Sequence, residues 1–225
     1  MLSAPGTVRS TARRVGAMLV LVATVPLAGP SLAFGQSHEA SAVFAGGCFW
    51  GVESVFEHVR GVKSATAGYS GGSAVDPSYD LVETGGTGHA ESVRVVYDPA
   101  QVSYRQLLAV FFLVAHDPTT RDRQGPDAGP QYRATVFYRD SAQAEEARSY
   151  MAALAAHRVF ARPIVTELRP LQAFYPAEAY HQRYAALHPT QFYIVINDAP
   201  KVERLRSLFP ALYADGEAAQ PPARP

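Results

Sequence analysis

The sequence of residues 46–51 is Gly-Gly-Cys-Phe-Trp-Gly, and it contains the only cysteine and the only tryptophan of the 225-residue chain, Cys48 and Trp50. Residues 42–45, before it, are apolar and strand-like. Residues 52–59, after it, carry valine and phenylalanine at the spacing of one helix face. We therefore predict a strand, a tight glycine turn that carries Cys48, and a helix.

This predicted position indicates a chemical role for Cys48. Unpaired backbone N–H groups and the helix dipole favour an anion at the start of a helix, so we expect a thiolate there. A lone cysteine is more often a small buried packing residue. The neighbouring glycines and aromatic side chains are instead typical of an exposed site. With one cysteine in the sequence, no internal disulfide can form.

The composition is that of a globular protein, with 48% hydrophobic and 18% charged residues. The formal net charge of +0 gives no indication of nucleic-acid binding. Residues 1–33 combine an arginine-containing start, a short apolar stretch and Ser31-Leu32-Ala33, which predicts a secretory signal peptide. We therefore expect an exported protein, periplasmic or secreted, with no membrane association after cleavage, because the apolar stretch is too short for a stable anchor.

The remainder of the sequence predicts a linker over residues 34–41, one domain over residues 42–213 and a disordered tail over residues 214–225. Strands and helices are mixed, which favours an α+β domain with helices packed on a mixed or antiparallel sheet. Loops are predicted at residues 76–87 and 119–130. The predicted strands are residues 42–45, 62–69, 91–97, 132–139, 164–168 and 192–196, and the predicted helices follow Cys48, Ser103 and Asp140 and span residues 177–187 and 201–212.

Several polar residues lie in these loops or at strand ends, where active residues are commonly placed. Tyr79 and Tyr132 can equally be packing residues, Glu91 a solvated carboxylate at a strand end, and Asp127 a turn former. His89 could pair with a cysteine thiolate or be a solvated turn residue. No cluster of histidine, cysteine and carboxylate residues has the spacing of metal ligands, so we expect no metal.

Five segments, taken together, resemble the peptide methionine sulfoxide reductase A family. They occur in the family's order, and the similarity extends from about residue 42 to about residue 212. The resemblance implies a ferredoxin-like α/β sandwich core with extra loops. The segments are Gly-Cys-Phe-Trp-Gly (47–51), Ala-Gly-Tyr-Ser-Gly-Gly (67–72), Gly-His-Ala-Glu (88–91), His-Asp-Pro (116–118) and Gln-Tyr-Arg (131–133).

The resemblance implies that Cys48 is the nucleophile and that Glu91 protonates the sulfoxide oxygen. A sulfoxide sulfur is a poor electrophile until its oxygen is protonated. A carboxylic acid can supply that proton if a partly apolar pocket raises its pKa towards the working pH. Attack by Cys48 then leaves a sulfenic acid on its sulfur.

The resemblance also implies five substrate-binding residues. Tyr79 and Tyr132 would donate hydrogen bonds to the sulfoxide oxygen, Phe49 and Trp50 would form apolar walls for the S-methyl group, and Asp127 would support the site. We expect the sulfur of Cys48 and the carboxyl group of Glu91 to converge on one aromatic-lined hollow. The sequence around the aspartate, Gly-Pro-Asp-Ala-Gly-Pro, departs from the family's frequent Gly-Asn-Asp-His-Gly-Thr.

Family members act on the S epimer of methionine sulfoxide, free or in proteins, which implies repair of oxidised proteins. Many members carry further cysteines that attack the sulfenic acid, whereas this chain has none. We therefore expect no bound cofactor and an external thiol reductant: a thioredoxin-like protein, a glutaredoxin-like protein or a small thiol. A monomer is expected.

Two other classes of function are compatible with the same residues. A non-catalytic module could recognise oxidised methionine through Phe49 and Trp50, and it would form no sulfenic acid. A cysteine hydrolase could use Cys48 with His89 as its base, and it would cleave esters or amides.

Overall fold

The computed structural model describes residues 39–73 and 77–216, together with Met1, Leu2 and Gly6. The chain divides into two units, Met1–Gln36 and Ser37–Pro225, of which the second carries the fold. Apart from Met1, Leu2 and Gly6, the predicted signal peptide lies outside the described residues. The same is true of linker residues 34–38 and of tail residues 217–225.

The strands of the described region form one large sheet and one small hairpin. The large sheet has the order β7-β6-β1-β3-β2-β8, and all its pairs are antiparallel except β6 with β7. Strands β4 and β5 pair with each other. The strands are β1 (Ala40–Ala45), β2 (Val62–Ser70), β3 (Ala90–Tyr97), β4 (Arg123–Gln124), β5 (Asp127–Ala128), β6 (Thr135–Tyr138), β7 (Glu167–Pro170) and β8 (Phe174–Pro176).

The helices complete a ferredoxin-like core. The elements β1, α1, β2, β3, α3 and β6 follow one another as β-α-β-β-α-β, and their strands have the sheet order β6-β1-β3-β2. The predicted ferredoxin-like α+β fold is therefore confirmed. The helices are α1 (Phe49–Glu57), α2 (Tyr79–Glu83), α3 (Tyr104–Val110) with a π-helical extension (Phe111–Ala115), α4 (Ser141–Ala156), α5 (Tyr184–Leu187) and α6 (Ala199–Leu208) after a π-helix (Ile194–Asp198), and the 3₁₀ turns are Pro130–Tyr132 and Ala179–His181.

The core follows from the alternation of side chains along β1. Phe44 faces the helices, where its ring stacks on Phe56 of α1 at 5.2 Å and on Phe111 at 4.8 Å between centroids. The neighbours Val43 and Ala45 pack in a second, smaller cluster with Phe137. Burial of these apolar side chains against α1 fixes the direction in which that helix leaves the turn at Cys48.

The described C-terminal part of the chain covers the other side of α1. Glu53, in the middle of the helix, accepts hydrogen bonds from the backbone N–H of Ala67 in β2 at 3.2 Å and of Arg183 at 2.7 Å. The helix is therefore buried almost all round, which its apolar spacing alone does not predict.

Two predicted helix starts are confirmed in detail. Ser103 and Gln106 form a reciprocal capping box at α3. The Asp140 side chain caps α4 by accepting a hydrogen bond from the Gln143 N–H at 2.8 Å. Asn, Asp, Ser and Thr side chains at this position satisfy N–H groups that have no partner within the helix.

The predicted strand at residues 192–196 is wrong, because these residues are helical. Its β-branched and aromatic residues favour a strand, but Ile194 and Asp198 are both buried, which is the i, i+4 spacing of a helix face. Pro200 in the first turn of α6 is compatible with a helix start.

Other predicted boundaries also differ from the structure. The predicted loop at residues 76–87 contains α2, and the loop at residues 119–130 contains the β4–β5 hairpin. Residues 177–187 form a 3₁₀ turn and the short α5, not one helix, and β8 before them was not predicted. Strand β8 pairs with β2 at the edge of the large sheet, a tertiary contact that local pattern does not report. Other element starts also differ from the prediction. Strand β1 begins at Ala40, within the predicted linker, and α6 begins at Ala199. Strands β6 and β7 each begin three residues later than predicted.

We expect the contact between β2 and β8 to tolerate only glycine at position 68. A Cβ at Gly68 would lie 2.4 Å from the Tyr175 carbonyl oxygen and 2.5 Å from the Phe174 ring. Gly68→Ala should therefore lower the free energy of unfolding in urea by about 1–3 kcal/mol. The control Gly86→Ala, whose Cβ would meet only Thr84 Oγ1 at 3.4 Å, should change it by less than about 0.5 kcal/mol. Equal effects of the two substitutions would contradict this packing.

Candidate active site

Cys48 lies where β1 turns into α1, at the N-cap position of the helix, as predicted. Gly47 makes the turn possible, because its φ of +91° is in the left-handed region and a Cβ there would lie 2.5 Å from the Gln124 side chain. The cysteine is 9% exposed.

Glu91 meets the same turn from the start of β3. Its Oε2 accepts a hydrogen bond from the backbone N–H of Phe49, the residue after Cys48, at 2.9 Å. The carboxyl group is 3% exposed. Burial raises the pKa of Glu91 to about 8, against the lowering effect of the Phe49 N–H. At neutral pH, Glu91 is therefore a neutral carboxyl group in contact with the residue that follows Cys48.

The Cys48 sulfur is a thiol, and the expected resting thiolate is wrong. Burial raises the pKa of Cys48 well above its ordinary value, and the charges of Glu91 and Asp198 raise it further. A hydrogen bond from the Trp50 backbone N–H and the charge of Lys201 act in the opposite direction but are smaller. The desolvation of the charged form outweighs the favourable start of the helix.

The Trp50 indole is held by aromatic neighbours. Its Nε1–H donates to Nδ1 of His181 at 3.1 Å, and its ring stacks on Tyr184 with centroids 3.9 Å apart. Because His181 Nδ1 accepts, its proton lies on Nε2, and burial lowers the pKa of His181 so that the ring is neutral. Tyr193 meets the indole edge-on at 6.0 Å.

Phe49 lies behind the site and not at its surface. The side chain is 1% exposed, and its ring packs 5.0 Å from His181 and 5.9 Å from Tyr69. Trp50 is only half-buried. The apolar wall that a substrate can reach is therefore formed by Trp50, with Phe49 supporting it from beneath.

The charge of Glu91 affects the pKa values of Tyr79 and Tyr132. Burial, followed by the Glu91 charge, raises the pKa of both phenols, so both retain their protons as hydrogen-bond donors. Tyr79 opens α2, where its backbone N–H donates to Glu178 Oε1 at 2.8 Å. The Cys48 charge also contributes to the raised pKa of both phenols, though less than burial and Glu91.

Asp127 holds a tyrosine that the sequence analysis did not select. It lies in β5 and accepts a short hydrogen bond from the Tyr193 hydroxyl. Tyr193 in turn contacts Trp50. Asp127 therefore supports the site through Tyr193, which is compatible with its predicted role.

Cys48 also lines a cavity of about 620 Å³, and most of the other lining residues were not selected by the sequence analysis. Of the predicted residues, it is lined by Cys48 and Asp127 only. The Glu91 carboxyl group and the aromatic side chains of Phe49, Trp50, Tyr79 and Tyr132 are not among its lining residues. The other lining residues used below are His116, Asp117, Arg162, Tyr193, Lys201 and Arg204.

The C-terminal part of the described chain supplies residues that the sequence analysis missed. Asp198 stands at the N-cap position of α6, before a proline, so its sequence context suggests only a helix cap. Its side chain turns inward instead, is 0% exposed and lies 3.2 Å from Lys201 Nζ. His181, Tyr184 and Tyr193 likewise carry no local motif. Only the tertiary fold brings them to Trp50.

Neither His89 nor His116 can act as a base for Cys48. His89 is buried, and its Nδ1 accepts from the Gly72 N–H at 3.2 Å. His116 lines the cavity, but its Nδ1 lies 2.9 Å from the Phe111 carbonyl oxygen and its Nε2 lies 3.1 Å from Thr166 Oγ1. Burial also lowers the pKa of His116 to about 4. The arrangement does not support a cysteine–histidine hydrolase.

Within the described ranges, no three His, Cys, Asp or Glu side chains are grouped so that they could hold a metal ion. No helix in that part of the chain is long and apolar enough to cross a membrane.

A family model described as Peptide methionine sulfoxide reductase matches residues 40–211, which include every predicted site residue. The chain belongs to the peptide methionine sulfoxide reductase A family. Members are oxidoreductases that act on sulfur and reduce oxidised methionine, which repairs oxidative damage.

Relatives support this assignment over most of the chain. The sequence is 53% identical over 175 residues to peptide methionine sulfoxide reductase MsrA 2 of Mesorhizobium japonicum, covering 78% of this chain and 90% of the relative. It is 49% identical over 168 residues to MsrA 2 of Synechocystis, covering 75% and 78% of the two chains.

Solved structures agree with the fold. The crystal structure of reduced Mxr1 from Saccharomyces cerevisiae has a TM-score of 0.62 at 32% identity, covering 68% of this chain and 88% of that one. Methionine sulfoxide reductase A of Corynebacterium diphtheriae has a TM-score of 0.62 at 36% identity, covering 70% and 79% of the two chains.

The proximity of the carboxyl group should be measurable in the titration of the thiol. Because the Glu91 charge raises the pKa of Cys48, Glu91→Gln should lower that pKa. The rate of alkylation by iodoacetamide, followed against pH, reports on the thiolate of the single cysteine. The control Glu39→Gln removes an exposed carboxylate and should leave the thiol pKa unchanged. An unchanged pKa in Glu91→Gln would contradict the geometry.

Proposed function

We propose that the chain reduces the S epimer of methionine sulfoxide, free or in proteins, with Cys48 as nucleophile and Glu91 as proton donor. The observation that carries the proposal is the contact between the buried Glu91 carboxyl group and the Phe49 N–H, one residue from the nucleophile. Both groups hold their protons at neutral pH, because burial raises the pKa of each.

The reaction removes the sulfoxide oxygen as water, which takes up two protons, and Glu91 and Cys48 carry one each. Glu91 gives its proton to the sulfoxide oxygen and, as a carboxylate, accepts the proton of the Cys48 thiol and passes it to the same oxygen. The Cys48 sulfur attacks the substrate sulfur, and the oxygen leaves as water. A second water adds to Cys48 as methionine departs and returns its proton to Glu91. In sum, methionine sulfoxide and a thiol become methionine and a sulfenic acid.

The surroundings of the carboxyl group favour one orientation of the substrate. The hydroxyl groups of Tyr79 and Tyr132, which remain protonated, would hold the oxygen near Glu91. The S-methyl group would lie on the Trp50 ring, since burial of one methyl contributes roughly 0.8 kcal/mol. Because oxygen and methyl then have fixed partners, only one sulfur epimer presents its rear face to Cys48.

The sulfenic acid requires a thiol from outside the chain, because Cys48 is the only cysteine. The donor is a thioredoxin-like protein, a glutaredoxin-like protein or a small thiol. Export to the periplasm or the medium, the monomeric state and the absence of a bound cofactor stay predictions from the sequence.

We expect one equivalent of methionine for each molecule of protein when no reductant is added. Dimedone should then label Cys48, and mass spectrometry locates the label without ambiguity because the cysteine is unique. Cys48→Ser should give neither product while retaining the circular dichroism of the wild type.

Wild-type turnover in Cys48→Ser would exclude the mechanism. Binding of the sulfoxide with no dimedone adduct and no methionine would instead identify a non-catalytic binding module.

A further inference from the structure

We propose that the cavity at Cys48 binds the second substrate, a small thiol that carries a negative charge, and that Lys201 recognises this charge. The inference rests on the proposed function, since a thiol is needed only if a sulfenic acid forms. It concerns the cavity of about 620 Å³, which Glu91, Tyr79, Tyr132 and Trp50 do not line.

The cavity offers a second approach to the same sulfur. Of the residues assigned to sulfoxide reduction, Glu91, Tyr79, Tyr132 and Trp50 are not among its lining residues, whereas Cys48 is. A molecule in the cavity can therefore reach the sulfur without entering the space beside the carboxyl group. The volume is within the range of about 300–1,000 Å³ that is typical of small-molecule sites.

The burial of Cys48 favours a small thiol over a protein donor. Only 9% of Cys48 is exposed. Its sulfur would have to be approached through a walled cavity, which a low-molecular-weight thiol can enter without rearrangement of the protein.

Cationic side chains outnumber carboxylates in the cavity lining. Three cations, Arg162, Lys201 and Arg204, line the cavity against two carboxylates, Asp117 and Asp127. Asp117 is paired with Arg162 at 3.2 Å. Asp127 accepts the Tyr193 hydroxyl. His116 adds no charge at neutral pH, because burial lowers its pKa.

Of the cations that line the cavity, Lys201 is held by an ion pair with a buried carboxylate. Its ammonium group lies 3.2 Å from Asp198 Oδ1, and Asp198 is 0% exposed whereas Lys201 is 24% exposed. Asp198 Oδ2 has no hydrogen-bond partner among the residues that the structure describes, so the carboxylate depends on Lys201 for compensation. An ammonium group has three donors, and this contact uses one of them.

Gly51 leaves room for this pair beside the nucleophile. A Cβ at Gly51 would lie 2.0 Å from Asp198 Oδ1 and 2.7 Å from Lys201 Nζ. Gly51 is in the first turn of α1, three residues after Cys48. The ammonium group is therefore held next to the helix start from which the nucleophile projects.

The chemistry in the cavity consists of two successive reactions of a thiol at the Cys48 sulfur. The sulfur of the bound thiol attacks the Cys48 sulfur, the S–O bond breaks, and the oxygen leaves as water with the proton of the thiol. A mixed disulfide remains. A second molecule of the same thiol attacks it, which releases the small disulfide and restores the Cys48 thiol. Two small thiols are oxidised for each sulfoxide reduced.

The test compares three small thiols that differ in charge: 3-mercaptopropionate, 2-mercaptoethanol and cysteamine. The value of kcat/KM for each thiol is measured at saturating methionine sulfoxide. We expect Lys201→Met to lower the ratio of 3-mercaptopropionate to 2-mercaptoethanol about tenfold, as loss of a hydrogen bond to a charged group implies. The ratio of cysteamine to 2-mercaptoethanol should rise.

Control variants separate charge recognition from other effects. Lys201→Arg should keep the preference for the anionic thiol, and Lys63→Met, at the only other lysine of the sequence, should leave all ratios unchanged. A change in the reactivity of Cys48 itself would affect the three thiols equally and cancel in the ratios. If Lys201→Met does not fold, added salt should still weaken the preference of the wild type.

Equal loss with all three thiols in Lys201→Met would overturn the proposal, as would an increase in KM for the sulfoxide alone. The yield of methionine without added thiol provides the separate check on the proposed function. One equivalent in wild type and in Lys201→Met, together with unchanged thiol ratios, would reject the cavity as the thiol site and leave the reductase intact.

Discussion

The hydrogen bond from the Phe49 backbone N–H to the Glu91 carboxyl group is the constraint on which the site depends. It joins the first turn of α1 to the start of β3. The pairing of β1 with β3 brings these two ends together, because Phe44, shortly before the turn, is opposite Val93, shortly after Glu91. The sheet register therefore sets the position of Glu91 relative to Cys48.

Burial determines what these two groups can do. A buried carboxyl group and a buried thiol both favour the protonated form, and the negative charge of Glu91 raises the pKa of Cys48 further. The start of a helix favours a thiolate, but that effect is smaller here. In the proposed mechanism, the protons of Glu91 and Cys48 are the two protons with which the sulfoxide oxygen leaves as water, and no thiolate is needed before the substrate binds.

The sequence was sufficient for those parts of the site that belong to one continuous segment. The glycine turn, the strand before it and the amphipathic helix after it predicted the place of Cys48, and alternation along β3 predicted the place of Glu91. Their proximity, however, depends on a sheet register that local pattern does not contain, and it was expected here only from the resemblance to a family.

Local sequence patterns could not predict the C-terminal part of the site, for physical reasons. Residues 192–196 have strand-forming side chains, but the burial of Ile194 and Asp198 against α1 selects a helix. Asp198 has the sequence context of a helix cap, yet its carboxylate turns inward to Lys201. His181 is positioned by its contacts with Trp50, which lies 131 residues away in the sequence.

The central claim is that Glu91 is protonated in the resting protein and supplies that proton. The most direct test is the rate of a single turnover of methionine sulfoxide, without added thiol, as a function of pH. We predict a rate that is constant below about pH 8 and falls above it as Glu91 ionises. In Glu91→Gln the rate should be about 10²-fold to 10⁴-fold lower and should lack this decrease. A wild-type rate that rises with pH through 8, as a preformed thiolate would require, or a Glu91→Gln rate equal to that of the wild type, would contradict the account.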